Sequence, residues 1–94
     1  MKPFEVALRE LVVQWFEKAD RDFDAAVYLL AQGGRFREII AFHCQQAVEK
    51  HLKALLVRHQ IEFPKTHDIR KLLGLIATVH PDLAESLHDA DLLS

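Results

Sequence analysis

The sequence predicts an all-α fold, an antiparallel helical bundle of three main helices plus a short or truncated fourth. Apolar residues recur at three- and four-residue spacing through most of the chain, the mark of helices with one buried face. Strong breaks fall at few places, chiefly Gly33-Gly34, Phe63-Pro64 and Pro81. Half of the 94 residues are hydrophobic, ample for a packed core and too many for disorder. At this length, residues 1–94 read as a single domain with one core, stable alone unless a partner helps.

The first helix starts at Pro3, where a first turn tolerates proline, and runs to Gln32. Phe16, Ala19, Phe23, Ala26, Val27 and Leu30 define its buried face, and Phe4, Leu8, Leu11, Val12 and Trp15 continue the stripe upstream. Gly33-Gly34 stops it, because glycine takes a left-handed C-terminal position without steric cost. A second helix begins near Arg35 or Phe36 and ends near His59, packing through Phe36, Ile39, Ile40, Ala47, Val48, Leu52, Leu55 and Leu56. Ile61-Glu62-Phe63-Pro64 must leave the helix, since proline disfavours helical geometry in the residue before it. Thr66 then reads as the N-cap of a third helix carrying Ile69, Leu72, Leu73, Leu75, Ile76 and Val79. Asp82 to Ser94 reads as a short fourth, with Leu83, Leu87 and Leu92 as its apolar positions.

Composition removes several function classes. A single cysteine, Cys44, makes no internal disulfide, which predicts a reduced, cytoplasmic protein. The start, Met1-Lys2-Pro3-Phe4-Glu5, has no signal-peptide pattern, and no apolar run is long enough to cross a bilayer. A net charge of −2 argues against a generic nucleic-acid binder. Charge is nonetheless segregated. From Lys50 to Lys71 six Lys or Arg face only Glu62 and Asp68, whereas Leu72 to Ser94 holds four acids and no Lys or Arg. A basic middle and an acidic end suit either a phosphate-bearing ligand or electrostatic pairing with a second copy; two solvated faces are the plain alternative.

Six histidines raise the question of a metal. His43, His51 and His59 stand eight apart, and ~12 Å of helical rise is too far for two of them to share one zinc. No metal is predicted. No cofactor is predicted either, because Gly33-Gly34 is a helix stop and no glycine-rich phosphate loop occurs. Cys44 has no visible partners for nucleophilic chemistry.

Two constellations remain. His43, Gln46, Glu49 or Lys50, and Lys53 fall on one side of the second helix by their spacings of three, four and seven. They read either as a ligand-facing stripe or as a solvated face with one ion pair, Glu49 to Lys53, worth a few tenths of a kcal/mol when exposed. Gln46, among Ile40, Ala47 and Val48, is expected to be part-buried and to need partners for its amide. The second constellation is the turn Lys65-Thr66-His67-Asp68, where the start of the third helix offers unpaired N–H groups to an anion. For His67 the simpler reading is a structural hydrogen bond to the second helix.

The stretch Gln45-Gln46-Ala47-Val48-Glu49-Lys50, then Leu52-Lys53-Ala54-Leu55-Leu56, then Pro64 to Asp68 resembles the signature of HEPN domains, the higher eukaryote and prokaryote nucleotide-binding family. The resemblance covers Trp15 to about Leu83. It implies a nucleotide- or RNA-binding module whose site includes Gln46, Lys50, Lys53, Lys65 and His67. It also implies a homodimer and a minimal nucleotidyltransferase as protein partner, in a two-component system of toxin–antitoxin type. HEPN domains of this kind usually carry a longer final helix, so the chain reads as a minimal version or one lacking its closing helix.

Catalytically active HEPN proteins pair an arginine with a histidine four to six residues later and cleave RNA as metal-independent dimers. Arg37 and His43 fit that spacing, yet lie early in the second helix, whereas the family's pair belongs to the end of the bundle. The expectation is therefore a non-catalytic module, with ribonuclease action through Arg37 and His43 as one alternative. A purely structural dimerisation domain, using Phe4, Leu8, Leu11 and Trp15 or the short fourth helix, is the other.

Overall fold

All regular structure among residues 3–78, the part the computed structural model describes, is helical. Helix α1 spans Pro3–Ala31 unbroken, so the two apolar stretches about Trp15 do join. Gln32 and Gly33 then donate to the Leu29 and Leu30 carbonyls in tight turns. Gly33 follows with φ 105° and ψ 173°, a region open essentially to glycine alone. One 3₁₀ turn, Gly34–Phe36, delays helix α2, which covers Arg37–Arg58 rather than starting at Arg35 or Phe36.

Helix α2 ends before Pro64 has any say. Gln60 adopts φ 56°, and the Ile61 and Gln60 N–H groups donate to the Leu56 and Val57 carbonyls at 2.9 and 3.0 Å. This pair of bonds closes a helix end around one left-handed residue. Ile61 is thereby folded back onto the core that holds Leu56. Helix α3 covers Ile69–Ala77. Its cap corrects the sequence expectation: Asp68, not Thr66, accepts from the Arg70 and Lys71 N–H groups at 3.0 and 3.3 Å. Asp68 directly precedes the apolar run and stands where a cap must, while the Thr66 hydroxyl accepts from the Asp68 N–H in the turn. Val79 and the expected fourth helix over 82–94 lie outside the described residues.

The core joins α2 to α3. Leu52 and Leu56 meet Ile69, Leu72 and Ile76, all fully buried, with Val48, Leu55, Ile61, Phe63, Leu73 and Leu75 packed around them. Each such side chain stabilises the fold by about 1.5–3 kcal/mol. Helix α1 runs antiparallel to α2: Val12 shares a hollow with Arg58, Phe16 stacks against His51 at 5.3 Å between ring centres, and Asp22 reaches His43. The contact is made through small residues, since Ala19 and Ala26 are buried. Of the predicted buried face of α1, Phe23, Val27 and Leu30 are instead exposed, as is Ile39 of α2. Close approach at the two alanines seats α2 along a narrow line and leaves the larger neighbours at its margins.

Candidate functional site

The polar stripe predicted on α2 divides into two networks that face different elements. His43 and Lys50, seven residues apart, both turn to Asp22 on α1. His43 Nδ1 lies 2.9 Å from one carboxylate oxygen, and Lys50 Nζ donates to the other. Burial pushes the Asp22 carboxyl up, but the hydrogen bonds and charges of Lys50 and His43 outweigh it and hold it below its usual value. Asp22 did not stand out in the sequence, because only the antiparallel docking of α1 brings it beside α2.

The second network centres on Glu49. Its side chain is 3% exposed and that of Lys53 is 7%, with Nζ to Oε2 at 3.0 Å. The expected exposed ion pair is therefore a buried one, where removing either partner strands a charge away from water. Lys53 is supported from behind by Trp15, whose ring centre lies 5.4 Å from Nζ. Trp15 in turn meets Phe63 edge-on at 6.4 Å, which ties the 59–68 turn to α1. His67 completes the network from that turn, its Nδ1 3.0 and 3.1 Å from the two Glu49 oxygens. This is the structural hydrogen bond to α2 that the sequence allowed for. A carboxylate only accepts, so Nδ1 is the donor and Nε2 is the nitrogen turned away from Glu49. The His67 side chain is 80% exposed while touching a carboxylate that is 3% exposed. It sits on Glu49 as a lid.

Above this lid lies a hollow of about 460 Å³ lined by Phe42, Gln45, Gln46, Glu49, His67 and Ile69. On α2 these lining positions follow from spacing: Phe42, Gln45 or Gln46, and Glu49 are one face of a helix. Ile69, the first residue of α3, and His67 supply the opposite wall. Gln46 is half-buried, as expected, and shares the hollow with His67. Phe42, Gln45 and Ile69 belong to it although none was among the expected site residues; Gln45 lies inside the signature, and Phe42 stands four residues before Gln46, which is the signal that would have found it.

The remaining predicted residues lie elsewhere. Among the described residues, neither Lys50, Lys53 nor Lys65 lines the hollow: Lys50 is paired with Asp22, Lys53 lies behind Glu49, and Lys65 is exposed on the turn. At the start of α3, where the turn suggested an anion site, the Asp68 carboxylate takes the Arg70 and Lys71 N–H groups. Arg37 lines a separate surface hollow with Gly34, Arg35, Phe36, Glu38 and Ile39, while His43 is directed at Asp22. Among the described residues no group of three or more His, Cys, Asp or Glu is arranged to hold a metal ion. No helix there is long and apolar enough to cross a membrane.

Compared with known families, residues 12–94 match the family model described as HEPN domain. No curated protein and no solved structure matches the chain.

Proposed function

The chain belongs to the HEPN domain family, whose modules bind nucleotides or RNA or act on RNA, and from that premise we propose that it is a non-catalytic nucleotide- or RNA-binding module. The observation that supports this reading is the shared hollow: Gln46 of α2 and His67 of the following turn face one space from two elements. Lys65, exposed two residues before His67, adds a positive charge to the same turn. Lys53 acts behind the site, holding the Glu49 carboxylate in place, while Lys50 is paired with Asp22 on α1. In the same reading the protein works as a homodimer beside a minimal nucleotidyltransferase, in a system of toxin–antitoxin type. The exposed Phe23, Val27, Leu30 and Ile39 are apolar surface on which a second copy gains by burial.

The test is binding of short single-stranded RNA, ATP and GTP, followed by fluorescence anisotropy and by thermal stability. A ligand at a hundred times its Kd stabilises by about 2.7 kcal/mol, a shift of many degrees for a chain this size. Gln46→Ala and His67→Ala are each expected to weaken binding. A melting temperature indifferent to every ligand would overturn the reading.

Ribonuclease action through Arg37 and His43 is the second reading, and one observation favours testing it. Asp22 holds Nδ1 of His43, the arrangement that fixes an imidazole for proton transfer at its other nitrogen. Within one chain, however, ~9 Å of helical rise separates the two positions, so a second copy would have to complete the site. RNA incubated in EDTA with the protein and with His43→Ala decides: equal cleavage by both removes these residues from the reaction.

A further inference from the structure

We propose that the hollow between α2 and the start of α3 grips its ligand by an unstacked nucleobase and not by phosphate; this rests on the nucleotide- or RNA-binding reading above. The lining is chemically wrong for an anion. Among the described residues it contains no Lys or Arg, and its floor is the Glu49 carboxylate, whose charge Lys53 answers from the far side. Asp68 occupies the neighbouring helix terminus with a second carboxylate and takes its Arg70 and Lys71 N–H groups. A phosphate entering here meets a carboxylate and no Lys or Arg on the described lining.

The same lining is right for a base. Phe42 is 53% exposed, its ring steeply inclined to the adjoining His43 ring at 5.5 Å between centres, so it offers apolar surface on which a base can stack. Ile69 supplies apolar contact from the opposite wall. Between them stand two carboxamides, Gln45 and Gln46, each carrying both donor and acceptor atoms, as the edge of a base does. Among the described residues no side-chain hydrogen bond occupies either amide, and no buried polar side-chain atom is left without a partner. The amides are thus solvated and ready to exchange water for a ligand. His67 adds a polar ring nitrogen, Nε2, whose orientation is fixed by the bond from Nδ1 to Glu49. The sugar–phosphate portion is left outside, toward the exposed Lys65 and Lys71. The ligand class is a free nucleotide or a single-stranded RNA residue; a base stacked in a duplex does not present its face.

The experiment is displacement of a labelled single-stranded oligoribonucleotide from the full chain, with nucleosides, ribose 5-phosphate and inorganic phosphate as competitors and an RNA duplex as a further arm. Nucleosides should displace the label, whereas ribose 5-phosphate, phosphate and duplex should fail. Phe42→Ala should weaken binding roughly tenfold, the loss of one stacked base, and Gln46→Ala should weaken it with the same competitors effective. Both positions are at least partly exposed, and equal melting temperatures check that each variant folds. Displacement by ribose 5-phosphate or phosphate but not by nucleosides, with Phe42→Ala binding unchanged, would overturn the inference while leaving an RNA- or nucleotide-binding module standing. Failure of the oligonucleotide and of nucleotides to bind at all would remove that module and this inference together. Nucleosides that raise the melting temperature where single-stranded RNA does not bind would support the base grip and assign it to nucleotides.

Discussion

Glu49 is the buried centre of a three-residue network, with Lys53 and His67 both bonded to it. Glu49→Ala leaves the Lys53 ammonium buried and unpaired, and is expected to cost roughly 3–5 kcal/mol in chemical denaturation. Replacing both partners, as Glu49→Leu with Lys53→Met, should recover most of that loss, since two apolar groups need no pairing. A double variant as unstable as the single one would show that the ion pair contributes beyond its own neutralisation. Asp22 behaves differently, being a carboxyl held below its usual value mainly by Lys50 and His43 against the opposing effect of burial. A group lowered on folding adds stability above its unfolded value, near 4, and loses it as the pH falls through the folded one. Asp22→Asn should therefore be less stable than the parent at pH 7, by about 1.5–3 kcal/mol. The difference should narrow in acid below about pH 4, which paired thermal melts across pH will read.

At the level of elements, the helices were legible because their packing stripes repeat, whereas their ends were hidden in single residues. Gln60 ends α2 in a left-handed conformation that nothing in its chemistry advertises, and Asp68 displaced Thr66 as the cap of α3 by a shift of two positions. The motif led to Gln46 and His67, but its lysines faced other elements, since which side of a helix meets which neighbour is settled only by docking. Helix α3 is nine residues long and carries Gly74 in its interior. A Cβ built there meets nothing within 4 Å among the described residues. Gly74→Ala should raise stability by about 0.5–1 kcal/mol through reduced backbone entropy in the unfolded chain, or several degrees in melting temperature. A lower melting temperature would mean that the position is crowded in the intact protein.

For the molecule as a whole, the sequence foretold one helical core but not how unevenly it would be shared. The α2–α3 contact is made by large aliphatic residues, whereas the α1–α2 contact buries alanines and adds rings and ion pairs, with Phe23, Val27 and Leu30 of α1 left outside. Leu30→Asp is expected to weaken self-association in light scattering while shifting the melting temperature little, because an already exposed position loses no core packing. A monomeric parent protein would overturn the homodimer.

One consequence of the lid over Glu49 is spectroscopic. An imidazole pinned at one nitrogen and bathed in solvent at the other keeps a single tautomer, so its two ring nitrogens should give well-separated ¹⁵N resonances. Occupancy of the adjoining space would perturb the outer nitrogen first and the pinned one little. His67 thus doubles as a built-in gauge of whether that space is filled, readable without any label on the ligand.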